Sequence, residues 1–558
     1  MYSMRGAELV IKLLERQGIE VICGIPGGAI LPIYDALSYS TKIRHILARH
    51  EQGAGFMAQG MARSTGKTSV FFATSGPGAT NALTAIADAK ADSVPMVCIT
   101  GQVASSLLGT DAFQEVDVYG MTIPITKHNY LIRSVEELLT IIPKAFTLAA
   151  SGRPGPVVVD IPRDIQLTEI SFAEFPEPGL AKPLEAAPEY MLQKALQAIN
   201  EAKKPVLMAG GGVVASCASG KVRALAEKLN IPVAMSMLGL GTIPKDHPLC
   251  LGMLGMHGAR YTNIALDECD LLLVAGARLD DRATGKVAGF CPNATIVHID
   301  IDPSEHGKIR QSHIDIVGDV GAAFAFFLNN VADTAAAKAP WVQQIAELKS
   351  AHPMIEPDNE NLLSAYGIIR KVAQFVPDDT IICTDVGQHQ MRTAQAYPLK
   401  APRTWLSSGG AGTMGFGVPA AIGASLAHPD KTVVCFSGDG SLMMNIQEFA
   451  TAVEHQTNIK IILTNNNGLG LIHQLQDLFF GGRKFSWNYN HHVDFIRIAE
   501  GFGLQAVDLS TSPNPEETLK DALACKGPVL IHLLLDPADK VFPIVPPGAA
   551  NTQMLGGE

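Results

Sequence analysis

Charged side chains are scarce in this sequence, and it has neither a long apolar run nor a basic segment. Of its 558 residues, 17% are Asp, Glu, Lys or Arg, and the mean hydropathy is +0.17. No apolar run reaches the roughly 18 residues of a membrane span, and the net charge of −11 leaves no basic face for nucleic acid. We therefore expect a soluble protein that binds neither membrane nor nucleic acid and hides apolar surface in an obligate oligomer.

Cysteine is also sparse and lacks the spacing of a metal or redox motif. The nine cysteines include no Cys-x-x-Cys pair and mostly lie in apolar runs such as Val97-Cys98-Ile99. This pattern predicts reduced thiols in the core. No signal-peptide pattern opens the sequence, so we expect a cytoplasmic protein, or an organellar one if a transit segment has been removed.

The length and the strand pattern predict an α/β protein with three doubly wound parallel-sheet domains. Short apolar strands alternate with helical segments. A Pro- and Glu-rich linker at residues 172–189 and an Ala/Lys-rich helical or linker stretch at 335–338 separate the domains. The predicted domains are residues 1–175, 190–335 and 360–545, with a tail at 546–558.

The strongest functional signal is a predicted strand that ends in Gly438-Asp439-Gly440. After a helix, a second strand ends in Asn465-Asn466-Asn467-Gly468. For that helix we predict Asn445 as the N-cap and Glu448 as its capping-box partner. Because parallel strands end at the same edge of a sheet, Asp439 and Asn466 should lie together where open α/β sheets bind ligands.

The oxygen atoms expected at this edge suit a magnesium ion that holds a diphosphate. A Gly-Asp-Gly sequence alone would be no more than a tight turn. At this spacing from Asn465-Asn466, however, it resembles the thiamine diphosphate motif. The resemblance places the metal ligands at Asp439, Asn466 and the carbonyl oxygen of Gly468.

Other motifs resemble the acetohydroxyacid (acetolactate) synthase family nearly from end to end. They are Gly27-Gly28-Ala29, Arg49-His50-Glu51-Gln52-Gly53, Phe113-Gln114 within residues 109–117, and Gly152-Arg153-Pro154-Gly155-Pro156. The resemblance implies an enzyme of branched-chain amino-acid biosynthesis. Such a transferase decarboxylates pyruvate on thiamine diphosphate and condenses the hydroxyethyl unit with a second 2-ketoacid, either pyruvate or 2-ketobutyrate.

The resemblance also implies the roles of individual residues. Glu51 would activate the cofactor through its aminopyrimidine ring, Gln114 would shape the active site from the neighbouring subunit, and Arg282 would hold the second carboxylate. From the residues alone, Glu51 could equally be a solvated first-turn glutamate that favours the helix dipole. The substrate pocket is expected at Gly28, Ala29, Phe113, Arg163, Met256, Ile472 and Leu475, with Arg163 standing where the family usually has Lys.

Besides Glu51, the thiamine diphosphate contacts implied by the resemblance lie in the third domain. Met414 would force the cofactor into its bent form, although a Met or Val in an apolar segment is usually a core residue. The expected contacts are Val386, Gly387, Gln388, His389, Gly412, Met414, Gly438, Asp439, Gly440, Ser441, Asn466, Gly468, Leu469, Gly470 and Leu471.

A glycine-rich turn at Gly210-Gly211-Gly212 gives a weak dinucleotide signal, and a structural turn is its alternative. The family resemblance implies FAD, because the FAD-free catabolic synthases lack the element Arg278-Leu279-Asp280-Asp281-Arg282. This flavin would support structure without a redox step. Its expected contacts are Arg153, Gly210, Gly211, Gly212, Ser236, Met237, Leu238, Gly255, Met256, His257, Gly276, Arg278, Asp280, Arg282, Asp300, Ile301, Gly318 and Asp319.

Two alternatives stay open, namely another thiamine diphosphate-dependent 2-ketoacid decarboxylase or carboligase and a non-catalytic cofactor-binding homologue. His257 and His389 could also be structural histidines. The resemblance implies a homodimer or homotetramer with active sites at the dimer interface, and a possible small regulatory subunit. Most of the family has Trp where Leu475 stands, which predicts weak preference for 2-ketobutyrate and low sensitivity to sulfonylurea and imidazolinone inhibitors.

Overall fold

The computed structural model describes residues 1–183 and 186–556. It contains three six-stranded sheets in which all paired strands are parallel, which confirms the predicted fold class. Several strands, such as Ser69–Ala73 and Pro205–Ala209, are buried along their whole length. Helices cover both faces of such sheets, which explains why these strands read as continuous apolar runs rather than alternating ones.

The first unit has the strand order β3-β2-β4-β5-β7-β6 and a separate antiparallel pair of β1 with β8. Its strands are β1 Tyr2–Arg5, β2 Val21–Gly24, β3 Arg44–Leu47, β4 Ser69–Ala73, β5 Met96–Gln102, β6 His128–Leu131, β7 Pro156–Pro162 and β8 Glu169–Phe172. Its helices are α1 Gly6–Arg16, α2 Leu31–Ser38, α3 Glu51–Thr65, α4 Pro77–Ala91, α5 Val118–Thr122, α6 Glu137–Ala150 and α7 Arg163–Leu167. The strand order reverses between β2 and β4, which opens a crevice there.

The middle unit has the order β11-β10-β9-β12-β13-β14, with the reversal between β9 and β12. Its strands are β9 Pro205–Ala209, β10 Val233–Met235, β11 Cys250–Met253, β12 Leu271–Ala275, β13 Thr295–Asp300 and β14 Ile314–Val317. Its helices are α8 Glu189–Glu201, α9 Gly211–Ala215, α10 Ser219–Leu229, α11 Arg260–Glu268, α12 Asp281–Thr284, α13 Val320–Asn330 and α14 Ala335–Ala351. The Ala/Lys-rich stretch is therefore the start of α14, whose Trp341 donates to the Pro205 carbonyl oxygen at 3.0 Å.

The third unit has the order β16-β15-β17-β18-β20-β19, with the reversal between β15 and β17. Its strands are β15 Ile381–Thr384, β16 Trp405–Leu406, β17 Val433–Gly438, β18 Ile459–Asn465, β19 Gln505–Asp508 and β20 Val529–Leu534. Its helices are α15 Ala365–Phe375, α16 Gln388–Ala396, α17 Gly417–Ala427, α18 Asp439–Leu442, α19 Glu448–Glu454, α20 Gly470–Phe479, α21 Phe495–Gly501 and α22 Pro515–Ala524.

The predicted linker at 172–189 runs between β8 and α8, and its residues 184 and 185 lie outside the described residues, as do residues 557 and 558 of the predicted tail. Seven of the nine cysteines are buried, whereas Cys217 is exposed and Cys525 is half-buried. In residues 1–183 and 186–556, no helix combines the length and the apolar character that a membrane span requires.

The first and third units pack together through α3 and α17, which approach closely because small residues line the contact. A Cβ atom on Gly60 would lie 2.0 Å from the Ala420 carbonyl oxygen, and one on Gly423 would lie 1.9 Å from the Met57 carbonyl oxygen. Such distances exclude any side chain at either glycine. The contact joins the apolar cores of the two units into one cluster.

The predicted capping box of Asn445 and Glu448 is wrong. Helix α19 starts at Glu448, with Gln447 in the cap position. The Asn445 amide donates to the Gly415 carbonyl oxygen at 2.8 Å, and the fully buried Glu448 carboxylate accepts from the Arg49 amide at 3.0 Å. The buried carboxylate thus accepts from the first unit as well as from Thr451 of its own helix at 2.7 Å, and local sequence spacing does not reveal the contact with the first unit.

Candidate active site

The carboxyl ends of β17 and β18 bring three oxygen atoms together. The Asp439 carboxylate accepts through Oδ2 from the Gly468 amide at 2.7 Å. The Asn466 amide oxygen points at two other oxygens, with 3.3 Å to Asp439 Oδ1 and 2.8 Å to the Gly468 carbonyl oxygen. In this orientation the Asn466 nitrogen donates to Gln388 Oε1 at 3.4 Å. Rotating the amide would instead let its nitrogen donate to both oxygens, which is the better orientation for the chain alone, whereas a bound cation would favour the oxygen.

These three oxygens fit a magnesium ion. Oxygens bound at about 2.1 Å in octahedral geometry lie about 3.0 Å apart along an edge, which matches the observed separations. A divalent cation would also relieve the repulsion between oxygens that have no proton between them. Burial raises the pKa of the Asp439 carboxyl to about 6, and a bound cation would oppose this shift by stabilising the carboxylate.

The neighbouring strand end contributes His389 and Asp385. His389 packs between Gly387 and Gly438, its Nε2 has no hydrogen-bond partner in the described chain, and burial lowers its pKa to about 3. A buried neutral imidazole with a free nitrogen is suited to contact a ligand at this edge. Asp385, which sequence reasoning gave no role, accepts from the amides of Val386 at 3.0 Å and Gly415 at 2.8 Å, and burial raises its pKa to about 6.

The structure gathers most of the other expected thiamine diphosphate residues around the same cluster. Ser441 donates to the Val386 carbonyl oxygen at 2.7 Å. A Cβ atom on Gly440 would contact Leu469, Met414 and Tyr489, so the loop that carries Met414 reaches the Gly-Asp-Gly turn. Tyr489 was not predicted. Gly412 is exposed, and a Cβ there would meet only Val386, at 4.0 Å, so this glycine leaves space beside the loop.

Helix α20 starts against this cluster. A Cβ atom on Gly470 would lie 2.3 Å from Gln388 Oε1 and 2.5 Å from Asn466 Nδ2, so only glycine fits at this helix start. Leu471 and Leu475 are half-buried one helical turn apart, and Ile472 is 42% exposed. The expected thiamine contact Leu471 and the two expected pocket residues Ile472 and Leu475 therefore follow one another along the helix that starts at the Asp439 cluster.

Glu51 belongs to the first unit, where it is the first residue of α3. Its side chain is buried, and its Oε2 accepts from Asn81 Nδ2 at 3.0 Å. Asn81 is a partner that sequence reasoning missed, because it lies a full helix away on α4. Among the described residues, no hydrogen bond connects Glu51 with the cluster around Asp439.

The expected substrate residues of the first unit follow its strands at the same carboxyl edge. Gly28 and Ala29 follow β2, Phe113 and Gln114 lie beyond β5, and Arg163 follows β7. Gln114 has a φ of +59° and packs on Gly76, whereas Phe113 is 87% exposed. An exposed phenylalanine of this size is available for contact with another chain.

The expected FAD residues lie at the carboxyl ends of all six strands of the middle sheet, apart from Arg153, which comes from the first unit. Arg153 reaches Asp302 at 3.1 Å and Glu305 at 2.6 Å, which joins it to this edge. The segments, each after its strand, are Gly210 to Gly212, Ser236 to Leu238, Gly255 to His257, Gly276 to Arg282, Asp300 with Ile301, and Gly318 with Asp319. Six segments around one crevice fit an elongated dinucleotide.

Two of these segments also carry expected substrate residues, namely Met256 and Arg282. The Met256 amide donates to the Arg282 carbonyl oxygen at 2.9 Å, and Arg282 Nη1 lies 3.5 Å from Met256 Sδ. The Arg282 side chain is 69% exposed, and its Nε lies 3.8 Å from Asp281 Oδ2. His257 is buried, bonds through Nδ1 to the Pro543 carbonyl oxygen at 3.0 Å, and has a pKa that burial lowers to about 4, which is typical of a structural histidine.

Comparison with known proteins gives the family. Profiles of thiamine pyrophosphate enzymes match the chain in three places, namely the N-terminal TPP binding domain at residues 4–121, the central domain at 192–326 and the C-terminal TPP binding domain at 385–533. The acetolactate synthase isozyme 1 large subunit of Escherichia coli K12 is 56% identical, over 99% of this chain and 97% of its own.

Two further relatives agree with this result. The isozyme 2 large subunit of the same organism is 44% identical, over 99% of each chain. The acetolactate synthase large subunit of Corynebacterium glutamicum is also 44% identical, over 99% of this chain and 90% of its own. The three matched domains and this end-to-end identity show that the chain belongs to the acetolactate synthase large-subunit family of thiamine pyrophosphate-dependent enzymes.

Proposed function

We propose that this protein is the catalytic subunit of an acetolactate synthase, which converts two pyruvate molecules to 2-acetolactate and carbon dioxide. With 2-ketobutyrate as acceptor it would form 2-aceto-2-hydroxybutyrate. The observation that carries the proposal is the convergence of the Asp439 carboxylate, the Asn466 side-chain amide and the Gly468 carbonyl oxygen at the β17–β18 edge, within a chain of this family. This donor set suits Mg²⁺ and, through it, the diphosphate of thiamine.

Thiamine diphosphate, when bound, supplies a positively charged thiazolium that accepts the electron pair left by decarboxylation. The chain's own residues would hold and activate it. Glu51 would share a proton with a pyrimidine nitrogen through its carboxylate, and its burial keeps that hydrogen bond away from competing water. Met414 would shape the ring conformation, and His389 would offer its free Nε2 at the same edge.

The second substrate would bind beside the middle unit. Arg282 has an exposed guanidinium that can pair with a carboxylate through two hydrogen bonds. Apolar side chains of Phe113, Met256, Leu471 and Ile472 would exclude water and delay protonation, which otherwise would release acetaldehyde. Gln114 would complete this pocket from the neighbouring subunit.

FAD would occupy the crevice at the carboxyl edge of the middle sheet. The support is that the expected contacts follow all six strands, and that Asp300 and Asp319 add carboxylates to this edge. Buried Asp300 already accepts from the Asp302 amide at 2.9 Å, which fixes its orientation. A flavin there would support structure, and purified protein should be yellow.

The relatives are named large subunits, which indicates a small-subunit partner. We further propose a homodimer or homotetramer with active sites at the dimer interface, located in the cytoplasm. The support is that Glu51 and the Asp439 cluster lie on different sheets without a hydrogen bond between them in the described chain. We also propose that the three domains span residues 1–175, 190–335 and 360–545.

The test is incubation of the purified protein with pyruvate, Mg²⁺, thiamine diphosphate and FAD, with separate assays for acetolactate and acetaldehyde. We expect acetolactate as the main product, with activity lost when Mg²⁺ is chelated. Acetaldehyde as the main product would indicate a simple decarboxylase, and no carbon dioxide release would indicate a non-catalytic homologue.

A further inference from the structure

Two buried carboxylates of the first unit hold the glycine-rich loop at residues 407–414 of the third unit. Asp92, at the end of α4, accepts from the Gly409 amide at 2.9 Å and from the Gly410 amide at 2.6 Å. Asp88 accepts from Ser408 Oγ at 2.5 Å and from Thr413 Oγ1 at 2.7 Å. These four hydrogen bonds join residues that are more than 300 positions apart in the sequence, and they fix most of the loop.

One guanidinium neutralises this carboxylate pair. Arg63 Nη2 lies 3.2 Å from Asp88 and 2.8 Å from Asp92, and its Nη1 donates to the Ser407 carbonyl oxygen at 3.1 Å. Both Asp side chains are fully buried. Buried charges that are fully paired are costly to disturb, because removing one partner leaves the others without compensation.

The same loop also contacts the middle unit. A Cβ atom on Gly409 would lie 3.0 Å from Leu238 Cδ2, and one on Gly410 would lie 2.8 Å from Arg278 Nη2. Both Leu238 and Arg278 belong to the segments expected to line the FAD crevice. The loop thus contacts both the carboxylates of the first unit and the expected FAD residues of the middle unit, while its residues 409–412 stay exposed.

We propose that this loop couples the two cofactor sites, with Asp92 and Asp88 as positioning residues that hold it while FAD orders the neighbouring Leu238 and Arg278. This inference rests on the proposed function, since it takes Gly412 and Met414 as thiamine contacts and the middle sheet as the FAD site. In this proposal FAD acts without electron transfer. It orders Leu238 and Arg278 beside the loop, and the ordered loop binds thiamine diphosphate more tightly.

Coupling of this kind is reciprocal. If FAD raises the affinity for thiamine diphosphate by some factor, thiamine diphosphate must raise the affinity for FAD by the same factor. Because this equality holds for any mechanism, it checks only that the two titrations are consistent. A role of the loop itself is shown when the factor is lost on removing a contact that holds the loop and is kept when an unrelated carboxylate is removed.

The experiment uses the full chain freed of both cofactors. Thiamine diphosphate with Mg²⁺ is titrated by tryptophan fluorescence, since Trp405 lies just before the loop, with and without saturating FAD. FAD is titrated by quenching of flavin fluorescence, with and without thiamine diphosphate and Mg²⁺. We expect each cofactor to tighten the other by the same factor, at least about fivefold.

Asp92→Asn should weaken thiamine diphosphate binding about tenfold and bring the coupling factor toward one, because charge-assisted hydrogen bonds to two amides and to Arg63 are lost. Thr413→Val removes a single bond to Asp88 and should give a smaller change in the same direction, even if Asp92→Asn fails to fold. The matched control is Asp35→Asn, an exposed carboxylate of the same unit that pairs with Arg5.

A coupling factor of one in the wild-type protein would overturn the proposal. So would wild-type coupling in Asp92→Asn, or equal losses in Asp35→Asn. The binding assay and the product assay test the two proposals independently. Absent coupling in a protein that makes acetolactate refutes only the loop proposal, whereas coupling in a protein that makes no acetolactate refutes only the proposed function.

Discussion

Replacing Glu51 by Gln separates cofactor activation from a simple effect of helix charge. The side chain is buried at the start of α3 and accepts from Asn81 Nδ2 at 3.0 Å, a bond that a Gln carbonyl oxygen can keep. Gln has nearly the same size but cannot exchange a proton with the cofactor. The fold and thiamine diphosphate affinity should therefore survive the change.

The expected magnitudes decide between the two explanations. A first-turn glutamate that only favours the helix dipole contributes about 0.3–1 kcal/mol, which changes a rate or an affinity by at most about fivefold. A positioned acid or base contributes roughly a hundredfold or more in rate, about 2.7 kcal/mol of barrier. Glu51→Gln should thus lower turnover by at least about a hundredfold.

The assay measures turnover with pyruvate at saturating cofactors, together with thiamine diphosphate binding by fluorescence. Glu8→Gln is the control, because Glu8 is a first-turn glutamate of α1 whose side chain is 42% exposed. Turnover of Glu51→Gln within about fivefold of wild type would refute the activating role and favour the dipole explanation. A parallel loss of affinity and turnover would assign Glu51 to binding instead.

Three further changes test other parts of the proposal. In Asp439→Ala, ordinary Mg²⁺ levels should restore activity poorly. The control Asp477→Ala removes a carboxylate from nearby α20 and should keep normal Mg²⁺ dependence. Unchanged Mg²⁺ dependence in Asp439→Ala would place the metal elsewhere. Leu475→Trp should raise the preference for 2-ketobutyrate over pyruvate by about 1–2 kcal/mol and increase sulfonylurea sensitivity. A competition assay that shows neither change would mean that Leu475 does not line the pocket. Burial raises the pKa of Asp160 from 3.8 to about 7. Its carboxyl therefore stabilises the fold below pH 4, and this contribution is lost as the pH rises to 7. Over that range the melting temperature of Asp160→Asn should fall less than that of the wild type, and an unaltered pH profile would contradict the shift.

The sequence alone predicted the three sheets and the approach of Asp439 to Asn466. Strands such as β4 and β9 could be located because burial on both faces forces continuous apolar runs. Asp439 and Asn466 could be paired because each follows one of two adjacent parallel strands, so strand order alone brings them together. Local pattern was sufficient wherever the contact follows from the topology of a sheet.

Only the tertiary structure decided which side chains connect the units. Glu448 has the spacing of a capping-box residue, yet its carboxylate accepts from Arg49 in the first unit. Asp88 and Asp92 carry no motif, although they hold a loop more than 300 residues away. Sequence periodicity reports which face of a helix is apolar, whereas the partner of a buried carboxylate depends on how two units pack, and that is fixed by contacts distant in the chain.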